Sequence, residues 1–312
     1  MTDILEKIKE LKKRHNAVIL AHNYQPGEIQ DLADFTGDSL GLSITASKTD
    51  ADVIVFCGVL FMAETAAILS PEKIVLLPEK QAGCPMADMI TAEQLINLKQ
   101  KYPDALVVCY VNSSADVKAE SDYCCTSANA VEVVNSLPSD KKIIFVPDRN
   151  LGGYVAQKTN RDIVLWPGYC PSHVVITEKD ILDAKKKYPD AIVMTHPECT
   201  EPVKALSDQI LSTGQMLKFA RQSSKKQYII ATETGIIHSL KKENPESEFI
   251  PASLKASCPN MKKIPLEKVL WSLEDMDNLT DRQSQYQVTV PEEIRKKAKR
   301  ALERMVEVIP SS

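Results

Sequence analysis

Trp166-Pro-Gly-Tyr-Cys-Pro-Ser-His173 carries a Cys-Pro step at Cys170-Pro171, and the same step occurs at Cys84-Pro85 and Cys258-Pro259. Cys84 and Cys170 are 86 residues apart, and Cys170 and Cys258 are 88 apart. Seven residues beyond each cysteine stands a helix-start signal: Thr91, Thr177 and Pro265. So regular a spacing marks one supersecondary unit repeated three times. If the three copies pack about a common axis, one cysteine from each meets the other two. Three thiolates at one point make a metal or cluster site with one coordination position open.

The same register runs through the rest of each unit. Tyr102-Pro-Asp-Ala105 and Tyr188-Pro-Asp-Ala191 are again 86 residues apart. The apolar runs at 18–20, 106–108 and 192–194 are continuous, not alternating, and so read as buried parallel strands. Polar groups stand at their C-terminal ends: His22 with Tyr24, Tyr110 with Asn112, His196 with Glu198. Second strands are expected at 53–56, 143–146 and 228–230, and third strands at 74–77, 163–165 and 249–250, with helices between. Asp38-Ser39, Thr126-Ser127 and Ser212-Thr213 fall where helices should start, so their hydroxyls are expected at N-caps.

The pattern predicts an α/β protein of three homologous three-layer αβα units with small parallel sheets, in a pseudo-threefold arrangement around a central cluster. The units are expected at 1–98, with a leading helix at 3–14, at 99–184, and at 185–312, which includes a C-terminal helical extension closing at 291–308. Ligands of parallel sheets bind beyond the carboxyl ends of the strands. Packing about one axis therefore turns the strand-end residues and the three cysteines toward a single cavity.

Composition narrows the functional classes. A chain of 312 residues with net charge −4 lacks the basic surface that nucleic acid requires, so an anionic substrate must be held by local donors. No apolar run is long enough to span a membrane, and the charged, amphipathic first 13 residues do not read as a signal peptide, which points to the cytoplasm. In that compartment eight cysteines with no CxxC spacing argue against a disulfide framework or a zinc ribbon. Cys57 and Cys109 read as core residues. Packing is also the simplest role for Cys124, Cys125 and Cys199.

Laid out in this register, the sequence strongly resembles the quinolinate synthase family. The matching segments include Leu20-Ala-His-Asn-Tyr-Gln25, Cys84-Pro-Met-Ala-Asp88, Tyr110-Val-Asn-Ser-Ser-Ala115, Cys124-Cys-Thr-Ser-Ala-Asn129, Pro147-Asp-Arg-Asn-Leu-Gly152, Trp166 to His173, His196-Pro-Glu-Cys199, Ala231-Thr-Glu-Thr-Gly235 and Cys258-Pro-Asn-Met261. The resemblance implies three α/β domains around an oxygen-sensitive 4Fe–4S cluster ligated by Cys84, Cys170 and Cys258. It further implies condensation of iminoaspartate with dihydroxyacetone phosphate to quinolinate, with loss of phosphate and two waters. Functional coupling to an L-aspartate oxidase or dehydrogenase that supplies the unstable imine would follow.

Within that chemistry Glu198 is the expected acid/base group, with Tyr24 and His196 beside it, and Tyr110 and Asn112 orienting the intermediate near the open iron. His22, Ser39, Ser127, Ser212 and Thr213 are expected to hold carboxylates and phosphate, because helix N-termini present free N–H groups. His173, three residues past a cysteine ligand, is expected to line the same cavity. Asp148, Arg149 and Asn150 read as a turn at a unit junction, and Glu233 is left open. Two other functions fit a three-cysteine repeat. One is a cluster-dependent reductase or dehydratase of isoprenoid diphosphates, and the other is a non-catalytic scaffold holding zinc.

Overall fold

The computed structural model describes residues 2–277 and 283–308, and in it the triple repeat is explicit. The first sheet consists of β1 (Ala17–His22), β2 (Phe35–Gly37), β3 (Val53–Cys57) and β4 (Ile74–Leu76). The second has β5 (Leu106–Tyr110), β6 (Tyr123–Cys125), β7 (Ile143–Val146) and β8 (Ile163–Leu165). The third has β9 (Ile192–Thr195), β10 (Gln209–Ile210), β11 (Gln227–Ala231) and β12 (Glu248–Pro251). All three sheets use one strand order, β2-β1-β3-β4 and its equivalents, and every pairing is parallel.

Each sheet has four strands where the sequence predicts three. The added edge strands, β2, β6 and β10, are two or three residues long and carry no apolar run. They are fixed instead by an aspartate that precedes each one. Asp34, Asp122 and Asp208 accept the N–H of Ile19, Val107 and Val193 at 2.8 Å through the carboxylate. Their own N–H groups return to the same residues' carbonyls at 2.9, 3.1 and 3.1 Å. A side chain thereby supplies ladder hydrogen bonds that a longer strand would otherwise make.

Beyond their first residues the inner strands are buried: Ile19, Leu20, Ile54, Val55, Ile143, Ile144, Val193 and Ile229 are fully inaccessible. Covering both faces of a parallel sheet with helices accounts for the unbroken apolar runs, at about 1.5–3 kcal/mol for each aliphatic side chain buried. The helices after the cysteine loops begin one residue past the sequence signals. Ala92–Lys101 and Glu178–Lys187 have capping boxes at Thr91 and Thr177, and the third is Leu266–Asp277.

The helix-start expectation holds for Ser39–Lys48, capped by Asp38, and for Thr213–Gln222, capped by Ser212. Thr126-Ser127 departs from it, because the helix there is Ala130–Asn135 with Asn129 before it. Asn129 Oδ1 accepts from the N–H of Thr126 at 2.8 Å and from its hydroxyl at 3.2 Å, which closes a turn and delays the helix.

The leading helix Thr2–Arg14 packs against Leu266–Asp277, with Ile8 and Leu11 buried. The closing helix Glu292–Glu307 buries Ala298, Ala301, Leu302 and Met305 at helical spacing against β6 and the helices Ala115–Ala119 and Leu60–Leu69, so it ties the first two repeats together. Among the described residues, no helix is long and apolar enough to cross a membrane.

Candidate active site and cluster site

The Cys-Pro step has the same local physics in each repeat. Proline pushes the preceding residue out of the helical region, so Cys170 (φ −86°, ψ 114°) and Cys258 (φ −90°, ψ 108°) are extended. Proline then opens a short turn, Pro171–Val174 or Pro259–Lys262.

All three thiols line one cavity, walled by residues of all three repeats. They are also singled out by exposure. Cys57, Cys109, Cys124, Cys125 and Cys199 are fully buried, whereas Cys84, Cys170 and Cys258 are partly open toward the cavity. Enclosure pushes the Cys84 thiol up to about 12 and raises Cys170 well above the ordinary range, so bare thiols here keep their protons. A soft iron centre suits this donor set, since three free sulfurs lining one cavity are what a three-cysteine cluster site requires. A second grouping overlaps it: ligand atoms of Cys170, His173 and Glu198 lie within 4.8 Å of one another and could hold a metal ion.

Of the other residues picked out by the sequence, His22, Tyr24, Ser39, Tyr110, Asn112, Ser127, His173, His196, Glu198 and Thr213 all line this cavity. Ser212 lies behind it, where its hydroxyl accepts from Gln215 N at 3.3 Å and donates to Asp38 Oδ2 at 3.3 Å. Asp38 and Glu233 also line the cavity. The helix starts Asp38-Ser39 and Ser212-Thr213 face one another closely enough that a Cβ on Gly214 would stand 2.6 Å from Asp38 Oδ2, so any larger residue there would displace the Asp38 side chain.

One hydrogen-bond chain crosses the site. Tyr110 donates to Glu198 Oε1 at 2.6 Å, and Asn112 Nδ2 stands 3.5 Å from the same oxygen. Glu198 Oε2 is 2.7 Å from His173 Nδ1, which is also 3.1 Å from Cys170 Sγ. His173 Nε2 meets Thr232 Oγ1 at 2.8 Å, and Thr232 meets Tyr24 OH at 2.6 Å. Burial opposes the charge on Glu198, but His173 and the Tyr110 hydroxyl outweigh it and hold the carboxyl below the usual range. Both phenols are raised well above the ordinary range, by burial first and by Glu198 second, so they stay neutral hydrogen-bond donors.

His22 and His196 occupy equivalent turns. The N–H of Tyr24 points to His22 Nδ1 at 3.1 Å, and that of Glu198 to His196 Nδ1 at 3.3 Å. With Nδ1 accepting, the hydrogen resides on Nε2, which His196 directs at Ser127 Oγ, 3.1 Å away. Burial pushes both imidazoles down to about 3, so they are neutral donors facing the cavity. A neutral N–H suits a carboxylate or carbonyl oxygen without storing charge of its own.

Three contributors were not legible as functional from the sequence. Glu233 accepts the N–H of Cys258 at 3.0 Å and that of Gly235 at 2.7 Å, and it pairs with Lys262 at 3.0 Å, so it fixes the third cysteine loop. Thr232, in the third repeat, meets the first through Tyr24 and the second through His173. Asn150 Nδ2 donates to the Glu198 carbonyl at 3.1 Å. The only sequence signal among them is that Glu233 stands two residues past β11, as Asp148 stands two past β7.

Residues 6–307 match the family profile described as Quinolinate synthetase A protein. The chain is 58% identical to the quinolinate synthase of Dehalococcoides mccartyi (strain CBDB1) over 306 residues, which cover 98% of each protein. It is 56% identical to that of Pelobacter propionicus (strain DSM 2379 / NBRC 103807 / OttBd1) and 54% identical to that of Methanosarcina barkeri (strain Fusaro / DSM 804), again over 98% of each chain.

Proposed function

Because this chain belongs to the quinolinate synthetase A protein family, whose enzymes serve NAD biosynthesis, we propose that it condenses iminoaspartate with dihydroxyacetone phosphate to give quinolinate, phosphate and two waters. The observation that carries this reading is the meeting, in one cavity, of one thiol from each repeat with the Tyr110–Glu198–His173 hydrogen-bond chain. In this reading residues 1–98, 99–184 and 185–312 each contribute one ligand: Cys84, Cys170 and Cys258.

When bound, a 4Fe–4S cluster held by three thiolates supplies a Lewis-acidic iron that eases the departure of a hydroxyl group. The protein's own groups then divide the remaining work. Loss of water from carbon needs a proton for the leaving oxygen and a base for the neighbouring C–H, and a well-placed donor or acceptor contributes about 10²–10⁴-fold. Ionised Glu198 is the base. The neutral hydroxyls of Tyr110 and Tyr24 are the nearby donors, and His173 relays between Glu198 and Thr232.

The substrates bring two carboxylates and a phosphate into a protein of net negative charge. Nε2–H groups of His22 and His196, the side chains of Asn112 and Ser127, and the helix starts at Ser39 and Thr213 hold these anions. Ser212 serves by capping the helix that presents Thr213. Helix N-termini favour anions through their free N–H groups and positive dipole ends. Iminoaspartate hydrolyses readily in water, which fits functional coupling to an L-aspartate oxidase or dehydrogenase and a site walled on three sides.

The test is anaerobic: reconstituted protein is given oxaloacetate, ammonia and dihydroxyacetone phosphate, and quinolinate is measured. Quinolinate appearing in step with phosphate is expected. A protein loaded with iron and sulfide that makes no quinolinate would contradict the proposal.

A further inference from the structure

The three repeats share a second set of equivalent residues. Gln30, Lys118 and Lys204 are 88 and 86 residues apart, the spacing of the Asp34, Asp122 and Asp208 anchors. All three are buried, at 4%, 0% and 4% exposure, which for two lysines is a rare environment. Each lies in the helix that follows the first strand of its repeat: Gly27–Leu32, Ala115–Ala119 or Glu201–Ala205.

Their partners form a closed ring. Gln30 Nε2 donates within its own repeat to Gln25 O at 2.7 Å, and across to Gly235 O of the third repeat at 2.9 Å. Lys118 Nζ donates to Ser113 O at 2.6 Å and reaches Phe61 O of the first repeat at 3.5 Å, with its ammonium 5.4 Å from the Phe61 ring centre. Lys204 Nζ donates to Asn150 O of the second repeat at 2.8 Å. The first repeat therefore grips the third, the second grips the first, and the third grips the second.

In every case the gripped carbonyl lies at the N-terminal end of the helix that follows β3, β7 or β11, directly behind the cavity wall. Phe61 lines the cavity, and Gly235 is held against Glu233, which fixes the Cys258 loop. Asn150 donates its side chain to the Glu198 carbonyl. A buried ammonium or amide must keep its acceptors, because an unmatched donor away from water is costly. Each grip therefore fixes a distance between two sheets, not merely a contact.

We propose that Gln30, Lys118 and Lys204 form a cyclic inter-repeat clamp, and that Lys204 is a positioning residue acting through Asn150 on Glu198. The clamp sets the separation of the repeats before any cluster is bound. The kinetic part of the test rests on the function proposed above. The structural part does not.

Hydrogen exchange of the apoprotein tests the clamp. Gln30→Leu, Lys118→Met and Lys204→Met are each expected to speed exchange roughly tenfold in one facing segment, 233–236, 59–62 or 148–151 respectively, against little change elsewhere. Lys204→Leu, which likewise removes the donor, carries the same comparison should Lys204→Met fail to fold. Unchanged exchange at the facing segments, or equal acceleration through the whole chain, overturns the clamp. In turnover, Lys204→Met is expected to lower kcat about tenfold with KM within about twofold, as for a displaced catalytic group. A change confined to KM overturns the positioning role, whereas loss of all quinolinate formation in the unaltered protein refutes the function and leaves the exchange result standing.

Discussion

Tyr110 gives its phenolic hydrogen to Glu198 Oε1 over 2.6 Å, so a strand end of the second sheet is bonded to a strand end of the third. That bond is charge-assisted, buried and shared between repeats, and it fixes a carboxylate that burial alone would neutralise.

Tyr110→Phe removes this donor without altering the volume much. Turnover is expected to fall about 10²–10³-fold, because the base loses both its orientation and a neutral proton donor beside it. Glu198→Gln should abolish turnover more completely. Iron content should match the unaltered protein in both cases, since neither residue is a proposed ligand. Near-normal turnover in either variant would remove Glu198 from its assigned role.

The aspartate anchors should behave alike in the three repeats. Asp122→Ala leaves the N–H of Val107 without its acceptor, at a cost of about 1–3 kcal/mol. Asp34→Ala and Asp208→Ala should cost similar amounts, read as shifts in the midpoint of chemical unfolding. Costs confined to a single repeat would show that the anchors are not equivalent.

Much of this architecture is readable before any coordinates. Cys84, Cys170 and Cys258 stand out because Cys-Pro is a rare pair repeated in register, and the inner strands stand out because full burial forces unbroken apolar runs. What stays hidden is made by side chains that stand in for backbone. β10 is only Gln209–Ile210, and its register depends on Asp208, whose role in a sequence looks like that of any loop aspartate. Thr126-Ser127 misleads for a related reason. Asn129 competes for the Thr126 N–H and moves the helix start, a local contest that composition does not reveal. Glu233 and Asn150 act on the main chain of other segments, so their work appears only once the repeats are packed together.

Asp148 gives a pH signature. Its Oδ1 accepts the N–H of Leu151 at 2.7 Å, while Oδ2 has no partner among the described residues. Burial, then the charge of Glu198, raises its carboxyl from 3.8 to about 7. The folded protein thus holds this proton to higher pH than the unfolded chain. Ionisation costs nothing below about pH 4, and the cost grows until about pH 7. Asp148→Asn should match the parent near pH 4 and exceed it by about 2–4 kcal/mol at pH 8. Denaturant unfolding at both pH values checks this, and a constant difference across the range would contradict it.

The central claim is that three sulfurs, one from each repeat, jointly hold a single iron–sulfur cluster. Iron and acid-labile sulfide per chain, measured after anaerobic reconstitution, test it most directly. About four of each are expected in the unaltered protein and in Cys57→Ala, with loss in Cys84→Ala, Cys170→Ala and Cys258→Ala alike. Stoichiometric zinc without sulfide, or a full iron complement surviving removal of any one of the three thiols, would contradict it.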